Sequence, residues 1–306
     1  MRILVVGSSN VDLTARVDHL PRPGETITNA TFEQSLGGKG ANQAIAAARL
    51  GGEVTFITSL GKDSYAGELK EQFRASGIMT DYLFEDTLSP TGTAFIFVAE
   101  SGENCIAVAP GANASLTTDK MSLLSDALDA SDIVVLQAEI PYQTVKEIAM
   151  EASRRHIKVL YNPAPACMVD SELMSAVSIL VLNEVEASVV SGIEYTGDNL
   201  DAIATSLERR GAGTVVITLG KDGVYMKHGS TSIRLPSYDV KVVDTVGAGD
   251  TFCGALAVKC ASKDIDREAL EFASAAASLT VTRRGAQSAI PTLEEVLSFI
   301  NHNIYV

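Results

Sequence analysis

The sequence lacks the cysteine spacing of a disulfide framework or a zinc site. It has four cysteines, no C-x-x-C pair and no matched histidine cluster. We therefore expect four reduced, buried thiols, at Cys105, Cys167, Cys253 and Cys260. Pro-rich, Ser-rich and repeated blocks are missing as well, so we expect one ordered α/β domain over residues 1–306.

Basic charge is also scarce. Lys and Arg number 24 against 38 Asp and Glu, which gives a formal net charge of −14. A nucleic-acid or anionic-membrane partner would need a basic face, so we expect neither and predict small-molecule partners. An anionic ligand must then be held by backbone N–H groups, helix N-termini or metal ions.

Long apolar runs are absent from the sequence too. The first residues turn polar after too few apolar positions for a signal peptide, and no later run approaches the length of a membrane span. We therefore expect a cytoplasmic protein.

What is present is an alternation of short β-branched runs and helical patterns. Strands buried on both faces are predicted at residues 3–6, 54–57, 133–136, 158–161, 179–182 and 215–218. Helices are predicted at residues 41–50, 65–76, 142–155 and 200–209. This alternation predicts a mostly parallel sheet covered by helices, with ligands at the carboxyl ends of the strands.

Two stretches break this alternation, at residues 11–32 and 93–109. Both look like hairpins, with turn residues at 21–24 and 100–103. We interpret them as a small β-sheet that stands off the main domain and could act as a lid. The alternative is that they are extra edge strands of the main sheet.

Residues 244–252 read Asp-Thr-Val-Gly-Ala-Gly-Asp-Thr-Phe and precede an apolar helical run. A helix that starts at Ala248 or Gly249 would aim its unpaired N–H groups at one point, where small residues allow an anion to approach closely. This pattern predicts an anion hole with Asp250 beside it as a candidate catalytic base. The alternative is that Asp250 is an ordinary acidic residue in a first helical turn.

A second glycine cluster, residues 37–43, precedes an alanine-rich pattern. It is not a P-loop, and no glycine set matches the dinucleotide fingerprint, which disfavours a dehydrogenase. A glycine loop with Lys39 and Asn42 suits a polyhydroxylated ligand. Asn10 and Asp12 would point the same way from an extended chain and could bind vicinal hydroxyls, or they could form an Asx turn.

With these motifs, the sequence resembles the ribokinase family of carbohydrate kinases over nearly its whole length. Residues 37–42, with Gly51 and Gly61, are similar to the first family signature, and residues 244–256 are similar to the second. Further matching segments are residues 162–166, 183–186, 218–220 and 282–287. The resemblance implies a three-layer α/β sandwich with a mostly parallel central sheet and a small β-sheet lid.

The implied activity is ATP-dependent phosphorylation of the 5-hydroxyl of D-ribose. The alternatives are a kinase of another small sugar or nucleoside, such as 2-deoxyribose, fructose or adenosine, and a sugar-binding regulator without catalysis. Because the lid strands would expose their edges unless paired, we also expect a homodimer joined through the lids.

The resemblance also implies roles for individual residues. The implied sugar ligands are Asn10, Asp12, Gly38, Lys39, Asn42 and Glu139, and the implied base is Asp250, beside an anion hole of Gly247, Ala248 and Gly249. The implied nucleotide contacts are Asn183, Thr218, Gly220, Gly223, Gly249 and Ser274. Ser274 stands where close relatives usually have a histidine.

Two metal ions are implied in the same way. Magnesium would be organised indirectly by Glu186. Potassium would bind beside the anion hole, partly through backbone carbonyls, at Asp244, Val246, Thr280, Arg283, Gly285 and Ala289. Ala289 stands where this shell usually has a hydroxyl residue.

Overall fold

The structure is a computed structural model that describes residues 1–303, with only the backbone described at residues 121–123. Its strands are β1 (Arg2–Val6), β2 (Asn10–Val17), β3 (Thr31–Gly37), β4 (Glu53–Gly61), β5 (Leu83–Asp86), β6 (Gly92–Ala99), β7 (Asn104–Ala109), β8 (Ile133–Gln137), β9 (Lys158–Asn162), β10 (Ile179–Asn183), β11 (Thr214–Thr218), β12 (Val224–His228) and β13 (Thr231–Leu235). Its α-helices are α1 (Lys39–Arg49), α2 (Ser64–Ala75), α3 (Ser125–Asp129), α4 (Tyr142–Arg154), α5 (Ser171–Ala176), α6 (Glu184–Ser191), α7 (Leu200–Arg209), α8 (Ala248–Cys260), α9 (Arg267–Thr280) and α10 (Leu293–His302).

The main sheet has nine strands in the order β13-β12-β11-β10-β9-β8-β1-β4-β5. The strands from β11 to β5 pair in parallel, whereas β12 and β13 add an antiparallel edge. All six predicted strands and all four predicted helices are present, so the predicted parallel α/β sheet is confirmed. The pattern did not reveal β5, β12 and β13.

Helices cover both faces of this sheet because side chains of each strand alternate between two cores. In β1, Ile3 and Val5 pack toward the core formed with α1, α2, α8, α9 and α10. Leu4 and Val6 pack toward the core formed with α3 to α7. The three-layer sandwich is therefore confirmed.

Two helices of the first layer, α1 and α8, approach each other unusually closely. A Cβ atom on Gly254 of α8 would lie 2.6 Å from Ala46 Cβ and 2.8 Å from the backbone oxygen of Gln43. Only glycine permits this approach. It brings the start of α8, with Asp250, onto the first turn of α1.

The remaining four strands form a separate small sheet in the order β3-β2-β6-β7. The outer pairs are antiparallel and the central pair, β2 with β6, is parallel. The prediction of a small separate sheet is confirmed, and the alternative of extra edge strands of the main sheet is wrong. The predicted boundary at residue 32 is also wrong, because β3 begins at Thr31 and continues to Gly37.

All four cysteines are free, but only Cys253 and Cys260 are buried. The prediction of a buried thiol is wrong for Cys105, which is exposed because it lies on β7, an edge strand of the small sheet with every residue exposed. Cys167 is half-buried. No helix within residues 1–303 is long and apolar enough to span a membrane. Residues 304–306 of the predicted 1–306 domain lie outside the described residues.

Candidate active site

Two adjoining cavities open where the parallel strands end. The larger has a volume of about 450 Å³ and the smaller one of about 210 Å³. Thr218 at the end of β11, Thr245 and Gly249 line both cavities. The two cavities therefore form one cleft, at the edge of the sheet where the sequence predicted ligands.

Asp250 lies in the first turn of α8 and lines the smaller cavity. Its carboxylate accepts hydrogen bonds from Asn42 Nδ2 at 2.9 Å and from Gln43 Nε2 at 3.1 Å. Gly247, the residue before this helix, is in the left-handed conformation (φ 76°), and no side chain caps the helix start. The hydrogen bonds of this buried carboxylate thus run to α1 rather than to the N–H groups of its own helix, which does not fit an ordinary helix-start residue.

Glu139 joins the predicted sugar residues to the end of β1. One of its carboxylate oxygens accepts hydrogen bonds from Ser8 Oγ at 2.5 Å and from the backbone N–H of Lys39 at 3.0 Å. The Lys39 side chain lines the smaller cavity together with Asp250. Gly38, the residue before α1, has a φ of 90°, and a Cβ atom there would lie 2.7 Å from the backbone nitrogen of Asn10.

Asn10 and Asp12 lie on β2 and therefore point to the same face of the small sheet, as predicted. The side-chain oxygen of Asn10, Oδ1, accepts a hydrogen bond at 2.8 Å from Asn113 Nδ2, and both side chains are buried. Asn113 also accepts from the Ser9 N–H and donates to the Ser9 carbonyl. The backbone groups of Ser9 thus fix the orientation of the Asn113 amide, and the Asn113 amide in turn fixes the orientation of the Asn10 amide.

Acidic groups crowd one lysine in this part of the cleft. Burial, together with the charges of Glu139 and Asp250, raises the pKa of Asp12 to about 6 against the opposing effect of Lys39. The neighbouring Asp250 carboxylate raises the pKa of Lys39 despite its burial. Burial also raises the pKa of Glu186. A protonated Lys39 is therefore strongly favoured here.

The larger cavity is lined by glycines, small residues and aliphatic side chains, together with two aromatic residues, Tyr238 and Phe252, and two charged ones, Lys221 and Asp239. Five of the six predicted nucleotide residues lie in its wall: Thr218, Gly220, Gly223, Gly249 and Ser274. A Cβ atom on Gly249 would meet nothing within 4 Å, so the backbone there faces open space. Ala248 lies in this wall and Gly247 in that of the smaller cavity, so the predicted anion hole spans the boundary between them.

Asn183 and Glu186 line the smaller cavity instead. They form a capping box at the start of α6: Asn183 Oδ1 accepts from the Glu186 N–H, and Glu186 Oε2 accepts from the Asn183 N–H, each at 2.8 Å. Glu186 is buried, so it is not a solvated helix residue. No group of three or more His, Cys, Asp or Glu residues converges as a metal site in the described part of the chain.

The predicted potassium residues lie on two loops beside the start of α8. The Asp244 carboxylate joins these loops by accepting hydrogen bonds from the N–H groups of Val246 at 3.1 Å and Gly285 at 3.0 Å. The Thr280 hydroxyl is buried between the Ala276 carbonyl, at 3.0 Å, and the Thr251 hydroxyl, at 3.1 Å, and the Thr280 carbonyl accepts from the Arg283 N–H three residues later.

Ala289 is fully buried in a short 3₁₀ turn at residues 287–289 and supplies no side-chain oxygen. The guanidinium of Arg283 forms an ion pair with Glu295, at 2.6 Å. Because a guanidinium is itself positively charged, Arg283 would have to contact a cation through its backbone carbonyl. Of the predicted potassium residues, Asp244 thus brings a carboxylate to these loops, and the set has one side-chain ligand fewer than the resemblance implies.

Several cleft residues were missed by sequence reasoning. Gln43 and Gln137 are buried amides beneath Asp250, and Asn113 orients Asn10. Gln43 belongs to the glycine cluster, and its place next to Asn42 was an available signal. Gln137 and Asn113 have no such motif, because their partners lie 94 and 103 positions away in the sequence. Thr245, Phe252 and Lys221 in the cavity walls were missed as well.

Comparisons with known proteins agree with this geometry. A model of the family described as pfkB family carbohydrate kinase matches residues 1–293. A ribokinase from Haemophilus influenzae is 39% identical over 301 residues, which cover 98% of each chain. A deoxyribokinase from Salmonella typhi is 33% identical, with 99% of this chain and 100% of that protein covered. The structure of Arabidopsis thaliana ribokinase complexed with ribose and ATP has a TM-score of 0.89 at 31% identity, with 97% of this chain and 98% of that chain covered.

Proposed function

The chain belongs to the pfkB family of carbohydrate kinases, and from this premise we propose that it transfers the γ-phosphoryl group of ATP to the 5-hydroxyl of D-ribose. Ribose lies beside Asp250 and beneath the small sheet, held by Asn10, Asp12, Gly38, Lys39, Asn42 and Glu139. Of these six residues, Lys39 also lines the smaller cavity. The nucleotide occupies the larger cavity along Thr218, Gly220, Gly223, Gly249 and Ser274, with Asn183 near its phosphates.

The observation that carries this proposal is the position of Asp250. It lies in the first turn of α8, whose N-terminal backbone borders both cavities, and two amides of α1 hold its carboxylate at the wall of the smaller one. A hydroxyl beside this carboxylate can lose its proton late in phosphoryl transfer. The N–H groups at Gly247, Ala248 and Gly249 can stabilise the charge on the transferred group.

The direct test is ADP release in a coupled assay with ATP, magnesium and a panel of D-ribose, 2-deoxyribose, fructose and adenosine. We expect D-ribose to have the highest kcat/KM. The similarity to a deoxyribokinase makes 2-deoxyribose the main competing substrate. Sugar binding without ADP release from any of the four would instead indicate a regulator.

Magnesium fits beside Glu186, whose buried carboxylate lines the smaller cavity near the phosphate side of the cleft. We propose that this contact is indirect and that bound magnesium neutralises charge on the phosphates. The role left to this chain is to hold Glu186 in place, which the capping box with Asn183 does.

Potassium fits the two loops beside α8 at Asp244, Val246, Thr280, Arg283 and Gly285, with Ala289 in the shell but without a side-chain oxygen. We propose that a bound potassium ion supports the anion hole through these loops. Replacing potassium by a large organic cation should lower the rate, and an unchanged rate would contradict the proposal.

We also propose that the small sheet is a lid over the sugar and that two lids meet in a homodimer. Its edge strands β3 and β7 are unpaired on their outer sides within the described chain, and Phe32, Phe95 and Ile106 are exposed on this sheet at 67%, 46% and 54%. Light scattering at micromolar concentration should give a dimer, and a monomer would contradict the proposal. One kinase domain over residues 1–306 and a cytoplasmic location remain predictions from the sequence.

A further inference from the structure

A chain of hydrogen-bonded buried amides lies beneath Asp250, and one of its members, Asn162, lines the smaller cavity. Gln43 Nε2 donates to Asp250 Oδ1 at 3.1 Å and to Asn162 Oδ1 at 3.2 Å. Gln43 Oε1 accepts from Gln137 Nε2 at 2.8 Å. Asn162 in turn donates to the Val181 carbonyl at 2.9 Å. Gln43 and Gln137 are fully buried, so water cannot replace these contacts.

The directions of the hydrogen bonds that Gln43 and Gln137 make in this chain follow from the charge on Asp250. An ionised carboxylate only accepts hydrogen bonds, so the Gln43 amide must present its nitrogen to Asp250. Its oxygen then points to Gln137, which must present its own nitrogen. Asn162 is fixed independently, because its nitrogen donates to a backbone carbonyl. No other direction of the Gln43 amide satisfies these partners.

Within this chain of amides, Gln137 Oε1 is a buried oxygen that accepts no hydrogen bond from the described residues. This oxygen is buried against Gly7, where a Cβ atom would overlap it. Leaving a buried amide oxygen without a partner is unfavourable. The missing partner of Gln137 Oε1 goes with the orientation in which Gln137 Nε2 donates to Gln43. The hydrogen bond that orients Gln43 is therefore kept at the expense of a hydrogen bond to Gln137 Oε1.

We propose that Gln43 is a positioning residue for the catalytic base, locked in its orientation by Gln137. This inference rests on the proposed function, in which Asp250 accepts the proton of the sugar hydroxyl. Asn42 fixes one carboxylate oxygen from the cleft side and Gln43 fixes the other from beneath. Together they prevent rotation of the carboxylate and keep it aligned with the hydroxyl.

Other charged and titratable groups also face Asp250. They come from four elements packed around it: Lys39 on α1, Asp12 on β2, Glu186 on α6 and Cys253 on α8. Only the amides of Asn42 and Gln43 make side-chain hydrogen bonds to its carboxylate within the described residues. A change at position 43 therefore alters one of two orienting contacts and leaves these charges in place.

Two substitutions at position 43 test the inference. Gln43→Met keeps the shape and removes the donor, so kcat should fall by about ten- to a hundredfold while the Kd for the sugar changes by less than about threefold. Gln43→Glu keeps a donor only while the carboxyl pair at positions 43 and 250 shares one proton. We expect near-normal kcat where that proton is bound and a new alkaline fall in kcat where it is lost.

The pH profile separates positioning from a merely structural role, because lost packing would lower kcat equally at every pH. Gln137→Met is a second variant, further from the cleft, and should reproduce a weaker form of the Gln43→Met defect. Gln143→Glu, on the exposed side of α4, adds the same charge away from the cleft and is the matched control. Circular dichroism and calorimetric sugar binding establish that each variant is folded.

Wild-type ADP release on the sugar panel separates this inference from the proposed function. No release from any sugar overturns the proposed function, whatever the variants do. Wild-type release with an unchanged kcat in folded Gln43→Met, or with no new alkaline fall in Gln43→Glu, overturns the inference alone.

Discussion

The sugar side of the cleft, next to Asp250, and the larger cavity are built on different principles. On the sugar side, side chains bond to one another before any ligand arrives: Asn113 to Asn10, Ser8 to Glu139, and Asn42 and Gln43 to Asp250. The wall of the larger cavity instead combines glycines, aliphatic residues and hydroxyl side chains with the rings of Tyr238 and Phe252 and the charged Lys221 and Asp239. The sugar side can recognise a sugar through side chains that already orient one another, whereas the larger cavity offers a nucleotide its shape, backbone groups and polar side chains together.

The charges of the two regions differ in the same way. The sugar side gathers Asp12, Glu139 and Asp250 around Lys39, so an approaching phosphate meets repulsion there. The favourable positive potential lies at the N-terminus of α8, on the boundary between the cavities. The arrangement favours a neutral ligand on one side and leaves room for anionic phosphate only at the boundary, which is the geometry that phosphoryl transfer to a sugar requires.

The largest effect should come from the residue at that boundary. Asp250→Asn keeps the shape and removes the proton acceptor, so kcat should fall by about 10²- to 10⁴-fold. Sugar affinity should change far less, because other side chains provide most of the contacts. Steady-state kinetics with calorimetric sugar binding measures both quantities.

The matched control for this variant is Asp266→Asn, which changes a genuine N-cap, that of α9. It should leave kcat nearly unchanged and change stability little, because Asn caps a helix about as well as Asp does. If Asp250→Asn instead retained more than about a tenth of wild-type kcat, Asp250 would not be the base.

Residues on the sugar side were easier to predict from the sequence than the wall of the larger cavity, for a physical reason. Asn10 and Asp12, Lys39 and Asn42 each lie within a few positions of one another, so strand alternation and a glycine-rich helix start predict which of them share a face. Shape recognition in the larger cavity leaves no such pattern. Glycine positions predicted part of its wall, but the contribution of Phe252 and Val281 depends on how α8 and α9 pack.

Long-range contacts explain the remaining failures. Asn113 and Gln137 act on residues about a hundred positions away, and no local spacing announces such a pair. The antiparallel strands β12 and β13 follow a parallel sheet without a helical segment between them, so the alternation rule does not extend to them. Cys105 looks like an ordinary apolar position in an alternating strand, but its strand is an edge of the small sheet.

The next largest effect should sharpen the view that oriented side chains recognise the sugar. Wild type should prefer ribose to 2-deoxyribose by about ten- to a hundredfold, because loss of a hydroxyl would leave a buried polar group near Asn10 or Asp12 without a partner. Asn113→Asp keeps the shape but cannot donate to Asn10 Oδ1, so the Asn10 amide should turn over and present the wrong end to the sugar.

For Asn113→Asp we expect KM for ribose to rise about tenfold or more, the preference over 2-deoxyribose to shrink by a similar factor, and kcat to change little. The kcat/KM values of both sugars provide the measurement. Asn104→Asp, on the exposed strand β7, is the control and should behave as wild type. An unchanged sugar preference in Asn113→Asp would mean that the orientation of Asn10 is not what selects the sugar.

A smaller effect should appear in stability. The pKa of Asp12 is about 6 in the folded protein against an ordinary value of 3.8, so the folded state binds this proton more tightly than the unfolded state. Stability from this group is therefore lost as pH rises from about 4 to 6, and the ionised form is a cost above that range. Asp12→Asn removes the cost.

We expect Asp12→Asn to raise the free energy of unfolding by about 1–2 kcal/mol at pH 7.5, a value reduced for the partial exposure of the side chain, and to weaken ribose binding. The gain should vanish as pH approaches 4. Urea denaturation at the two pH values measures it, with exposed Asp18→Asn as the control. A destabilised variant at pH 7.5 would show that the sugar side is not organised at the expense of stability.

The smallest effect should come from the nucleotide side. The Ser274 hydroxyl lies in the wall of the larger cavity, and Ser278 lies in the same wall one turn further along α9. A neutral hydrogen bond contributes about 0.5–1.5 kcal/mol, so Ser274→Ala should raise KM for ATP by about tenfold at most and leave kcat unchanged.

Ser278→Ala is the matched control. The wild-type kcat/KM for GTP should be lower than that for ATP by no more than a similar factor. Initial rates at varied nucleotide concentration decide the matter. A rise in KM for ATP above a hundredfold in Ser274→Ala, but not in Ser278→Ala, would mean that one side chain selects the nucleotide. The larger cavity would then recognise its ligand as the sugar side does, through an oriented side chain, and the contrast between them would be contradicted.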